Sequence, residues 1–92
     1  MYRLLIVDDE ETEREGMAQF IAWEDYGIEL TGTAWNGVEG YEMMCRCSPD
    51  IVITDIKMPV MNGIELIKKT RRDFPDIEFI VLSGYGEYEF TS

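Results

Sequence analysis

The chain has 92 residues, 46% of them hydrophobic, and a formal net charge of −11 at pH 7. That length fits one small domain with much of its surface in water, and the apolar share argues against disorder. The acidic balance argues against a phosphate-backbone contact surface, which needs Lys and Arg, and suits a cation site or a basic partner.

The start, MYRLLIVDDEE, holds a short apolar run, Leu4 to Val7, that acidic residues close at once. It reads as a buried strand and as neither a signal peptide nor a membrane span. A helical pattern follows from about Thr12 to Ala22, with Met17, Phe20 and Ile21 at i, i+3, i+4. Ile28 to Ala34 alternates apolar and polar residues, as an edge strand with one wetter face would. Val38 to Arg46 is predicted helical, with Val38, Tyr41 and Cys45 on one face. Ile51 to Ile53 is a second buried strand, and Gly63 to Asp73 a third helix with Ile64 and Ile67 on one face. Pro49 and Pro75 mark the ends of the last two helices. Phe79 to Leu82 is the last apolar run, and a further helix is expected near Glu87. The order β-α-β-α-β-α-β predicts a parallel sheet with right-handed crossovers and helices on both faces.

Cysteine and histidine usage narrows the chemistry. Cys45 and Cys47 sit two apart on a predicted helix, where they do not face each other, and the chain has no histidine. No zinc set can be assembled, and no Ser-His-Asp or Cys-His triad exists. Free thiols in a reducing, cytoplasmic compartment are expected.

In open parallel sheets, function collects beyond the carboxyl ends of the strands. The first apolar run ends in Asp8-Asp9, the third strand in Asp55, and the fourth in Ser83-Gly84. If the first and third strands are neighbours, three carboxylates converge. Their repulsion raises at least one pKa unless a counter-charge is present. A hard divalent cation relieves it, and an all-oxygen site suits Mg²⁺. A carboxylate beside that ion can act as nucleophile toward a phosphoryl group, and Ser83 can bond a phosphoryl oxygen. The loop Lys57 to Gly63 offers a backbone carbonyl to the metal. Plainer roles compete. Asp8 to Glu11 could simply cap a helix. Phe20, Trp23, Tyr26, Met58 and Met61 read as packing residues, and the Lys68-Lys69 and Arg71-Arg72 run as a solvated face.

At LLIVDDEE (Leu4-Glu11), PDIVITDIKMPVMNGIEL (Pro49-Leu66) and FIVLSGYGEYEF (Phe79-Phe90) the sequence resembles a receiver domain of two-component response regulators. The resemblance covers essentially the whole chain, 1–92. It implies a flavodoxin-like doubly wound sheet of order 2-1-3-4-5. It implies that Asp55 accepts a phosphoryl group from a sensor histidine kinase. Asp9 and Asp55 would hold Mg²⁺ directly, Asp8 through water, and the Lys57 carbonyl would add a ligand. Ser83 would move toward the phosphoryl group. SGYGEYEF, with Trp23 and Tyr26, resembles YesN-like receivers joined to AraC-type DNA-binding domains. The implied partners are therefore a kinase and a transcriptional output domain, with no nucleic acid or membrane bound by this domain itself.

One departure stands out. A complete receiver continues through a fifth strand, which ends in a Lys that pairs with the phosphoryl group, and a fifth helix. Here the domain is read as ending before both. Metal binding is expected to survive, the fourth-strand side to stay uncovered, and a homodimer to form there. Two other readings compete with a signalling module. An enzyme using an aspartyl-phosphate intermediate would need an acid two residues after Asp55, where Lys57 stands. A receiver-shaped binding module would not need the Asp8, Asp9, Asp55 and Ser83 set.

Overall fold

The computed structural model describes residues 1–58 and 60–82. They run as β1 (Tyr2–Val7), α1 (Glu11–Phe20), a 3₁₀ turn (Trp23–Tyr26), β2 (Ile28–Ala34), α2 (Gly37–Cys47), β3 (Ile51–Asp55), α3 (Gly63–Asp73) and β4 (Glu78–Leu82). The predicted strands and helices that fall on the described residues are present, with ends moved by a few residues. The 3₁₀ turn was not foreseen. Ser83, Gly84 and the helix expected near Glu87 lie outside the described residues.

The sheet has the order β2-β1-β3-β4, and every adjacent pair is parallel. This is the expected doubly wound arrangement over the strands described. Period-2 alternation along β1 divides the core. Leu5 and Val7 join Ala34, Met44, Val52, Met58 and Leu66 under α2 and α3. Leu4 and Ile6 join Ile53 on the other face, where Met17 of α1 and Trp23 pack. The Trp23 indole Nε1 donates to the Met17 carbonyl at 2.8 Å, which ties the 3₁₀ turn to α1.

The helix faces differ from the apolar periodicity. In α1 no residue is fully buried, and Phe20 is 87% exposed, so the expected Met17-Phe20-Ile21 stripe contributes Met17 alone to the core. Tyr26, also expected to pack, is largely exposed. In α2 the buried residues are Gly37, Gly40 and Met44, while Val38 and Cys45 point to solvent. In α3 they are Gly63, Leu66 and Thr70, while Ile64 is exposed. The cause is close approach. A Cβ on Gly40 would sit 2.9 Å from Cγ2 of Val7, so the glycine lets α2 press directly on β1. Thr70 enters the core because its hydroxyl donates to the Leu66 carbonyl at 2.7 Å. β4 also departs from expectation. A continuous apolar run of this kind fits a strand buried on both faces, yet Ile80 is 51% exposed on this outermost described strand.

Gly40→Ala tests the close approach. Overpacking against Val7 is expected to lower stability by about 1–3 kcal/mol, read from the denaturant midpoint. An unchanged midpoint would show that α2 can back away freely.

Candidate functional site

The pairing of β1 with β3 is in register from Leu4↔Ile51 to Val7↔Thr54. The next residues, Asp8 and Asp55, therefore stand side by side where the ladder ends. Alternation also sets their face. Asp8 follows Leu4 and Ile6, and Asp55 follows Ile51 and Ile53, so both carboxyls lie on the α1 side of the sheet. Asp9 is the exposed neighbour of Asp8. The structure brings all three together, with one carboxylate oxygen from each lying within 4.8 Å of the others.

Each acid has a different environment. Asp8 is fully buried. Its amide continues the β1–β2 ladder to the Ala34 carbonyl at 3.0 Å. Its Oδ1 accepts from the Glu10 amide at 2.9 Å, and its carbonyl accepts from Nη1 of Arg14 at 3.0 Å. Its Oδ2 is buried without a hydrogen-bond partner. Burial lifts the Asp8 carboxyl from its ordinary 3.8 to about 6; the Glu10 amide opposes this, and Glu13 and Asp55 add repulsion. Asp55 is 8% exposed. Burial raises its carboxyl as well, the Lys57 and Ile56 amides pull it back, and Asp9 and Glu13 push it up.

The loop after β3 is fixed to the acceptor. The amide of Lys57 donates to Asp55 Oδ1 at 3.2 Å, so the exposed Lys57 caps the strand end. Met58 is buried in the core and Met61 packs on it, as expected of packing residues. Val60 holds φ at 72°, an unusual conformation for a β-branched residue. The loop closes where the Gly63 amide reaches the Ile56 carbonyl at 2.9 Å. A Cβ on Gly63 would lie 2.3 Å from the Asp55 carbonyl oxygen, so glycine is required there for α3 to start against the strand end. Ser83 lies outside the described residues.

Glu13 escaped the sequence reading. It is exposed in the first turn of α1, and its charge adds to the repulsion that raises the Asp8 and Asp55 carboxyls. A signal was available. Glu13 is four residues before Met17, on the stripe of α1 that faces the sheet.

Hard oxygen donors, a buried oxygen without a partner and mutual repulsion together fit a divalent cation. In open parallel α/β sheets ligands bind beyond the carboxyl ends of the strands at the switch point in strand order, which is where this cluster lies. A family model, the response regulator receiver domain, matches residues 4–92, and the chain belongs to that family. Receiver domains generally bind Mg²⁺ at an acidic pocket. The chain is 52% identical over 91 residues to the transcriptional regulatory protein YesN of Bacillus subtilis, covering 99% of this chain and 25% of YesN. It thus spans about a quarter of that relative's length. The REC domain of AraT, a response regulator from Geobacillus stearothermophilus, superposes with a TM-score of 0.87 at 36% identity, covering 91% of this chain and 65% of that one. A chain of the CheX–CheY–BeF₃–Mg²⁺ complex from Borrelia burgdorferi matches at a TM-score of 0.81 and 27% identity, covering 94% of this chain and 64% of that one. None of the described helices is long and apolar enough to cross a membrane.

The raised Asp8 carboxyl gives a pH prediction. Between its ordinary 3.8 and about 6 the folded state holds more protons than the unfolded state, so stability from this group is lost as pH rises through about 6. Thermal melts in chelator should show that loss, and Asp8→Asn should flatten it and raise stability near neutral pH by about 1–3 kcal/mol. A variant no more stable than the parent would refute the account. Gly63→Ala should displace the Asp55 backbone and weaken Mg²⁺ binding, read by titration alongside a melt. Unchanged affinity in that variant would mean that α3 does not position the acceptor.

Proposed function

We propose that the domain is a phosphorylation-controlled receiver in which Asp55 takes a phosphoryl group from a sensor histidine kinase. The observation that carries this reading is the convergence of Asp8, Asp9 and Asp55 where β1 and β3 end, with Asp8 Oδ2 buried and unpartnered. Asp8, Asp9, Asp55 and the Lys57 backbone carbonyl would hold Mg²⁺. When bound, the ion neutralises the carboxylates and stabilises the oxygens of a transferring phosphoryl group.

The chain's own residues account for the rest. The chain has no histidine, which agrees with a donor on another protein. Asp55 Oδ1 is engaged by the Lys57 amide, which leaves Oδ2 as the nucleophile. Asp55 forms the new O–P bond as the P–N bond to the donor histidine breaks, and the electron pair of that bond stays on the imidazole nitrogen. The product is an acyl phosphate on Asp55. Ser83 donates a hydrogen bond to a phosphoryl oxygen. Similarity to the transcriptional regulatory protein YesN supports a DNA-binding output domain in the parent protein, and a receiver of this kind would work in the cytoplasm. The matched complex carrying BeF₃ and Mg²⁺ supports Mg²⁺ as the ion here.

Incubating the protein with a phosphorylated sensor kinase or acetyl phosphate and Mg²⁺ should label it at one site. Asp55→Asn should remove the label, and chelation of Mg²⁺ should suppress it. Label retained at equal stoichiometry in Asp55→Asn would overturn the assignment.

A further inference from the structure

We propose that a groove at the amino-terminal edge of the sheet is a docking site for a partner polypeptide that carries lysine or arginine beside an apolar anchor. The groove has a volume of about 610 Å³ and is walled by the end of α1, the 3₁₀ turn and the start of β2. Asp8 and Asp55 lie at the opposite ends of the strands, so the inference stands apart from the phosphoryl-acceptor reading. Two kinds of surface meet in the groove. Ala18, Ile21, Ala22, Trp23 and Leu30 give it an apolar wall. Phe20 and Tyr26 flank the segment that forms this wall and are 87% and 73% exposed. Exposed aromatics beside an apolar hollow mark a surface that gains by being covered.

The charge of the lining sets the kind of partner. Glu24, Asp25 and Glu29 line the groove, all exposed, and none of them makes an ion pair among the described residues. The lining has no lysine or arginine side chain, and its one cation is the Met1 amino group. A small cation would leave the apolar wall in water, and a purely apolar ligand would leave the acids unpaired. A basic amphipathic segment meets both demands. The mode of docking is constrained as well. β2 is the outermost described strand on this side, but its pairing with β1 shifts at Thr31, whose hydroxyl donates to the Leu4 carbonyl at 2.9 Å. A bulge spoils an edge for the addition of another strand. The occupant therefore binds through its side chains, as an amphipathic helix laid in a groove does.

The test titrates a synthetic amphipathic helix of leucine and lysine into the protein and follows the amide shifts. The same helix with glutamate in place of lysine is the counterpart. The lysine helix should shift the groove residues, Trp23 and Glu29 among them, and leave Asp8, Asp9 and Asp55 in place, while the glutamate helix should shift neither set. Glu24→Lys with Glu29→Lys should weaken the lysine helix by about tenfold or more. Glu15→Lys with Glu42→Lys makes the same change in net charge at exposed positions outside the groove, and should weaken it by less than about threefold. Ile21→Ser should weaken it with no change in charge. Thermal melts check that each variant folds, and Glu24→Gln with Glu29→Gln replaces the lysine pair if that pair does not. Equal weakening by the two charge-changing pairs would reduce the effect to general attraction and overturn the proposal. Shifts centred away from the groove, equal binding of the glutamate helix, or a peptide-free dimer that closes the groove would overturn it too.

Discussion

The parallel register of β1 against β3 is the constraint on which the site depends. It is set by Leu4, Leu5, Ile6 and Val7 meeting Ile51, Val52, Ile53 and Thr54, all but Ile51 buried. A slip of one residue would send every side chain of a strand to the opposite face, so the two apolar clusters hold the register firmly. The acids have no say in their placement. Asp8 and Asp55 arrive next to each other because the apolar rows beneath them are already paired. Repulsion and desolvation are imposed on the site by the core, and the core must be stable enough to bear them.

The carboxyl edge of the sheet is electrostatically mixed. The carboxylates favour a cation. The N-termini of α1, α2 and α3 point to the same edge, and their unsatisfied amides favour an anion. Two of those helices begin with the same device. Asn36 and Asn62 each accept, through Oδ1, the amide of the glutamate three residues on, at 2.8 and 2.9 Å. In both, glycine takes the first helical position. The repeated Asn-Gly-x-Glu pattern starts each helix where a side chain would collide with the neighbouring loop or strand end. An edge built this way suits a cation and a phosphoryl group together better than either alone.

The strands were legible because continuous Val/Ile/Leu runs have few other uses, and the acids at their ends could be counted off directly. The parallel strands followed from the β-α alternation, and the strand order from the resemblance to receivers. The helix faces were not legible. Apolar periodicity selected Val38, Ile64 and Phe20, whereas the structure buries Gly40, Gly63 and Thr70. A glycine that buries backbone against Val7, and a threonine whose hydroxyl bonds its own helix, carry no hydrophobic signal. Glu13 was passed over for a related reason. In sequence it is one acid among many near the start of α1, and its meaning appears only once Met17 shows which stripe faces the sheet.

Placing the burial cost at one end of two inner strands has a thermodynamic consequence. A ligand stabilises a fold by binding the native state and not the unfolded chain. Here the empty native state is itself burdened by Asp8 and Asp55, both raised by burial. An ion that removes that burden gains free energy from relief as well as from its own contacts. The structural response should be confined to what borders the acids, because the sheet beneath is close-packed and α2 and α3 are joined through Tyr41, whose hydroxyl donates to Asp73 and whose ring lies under Nζ of Lys69 at 4.4 Å. The loop after β3 borders the acids. It is tied to Asp55 by the Lys57 amide, turned through the left-handed Val60 and locked again at Gly63. Lys57 and Val60 of that loop are exposed, so it joins Asp55 to the surface of the domain.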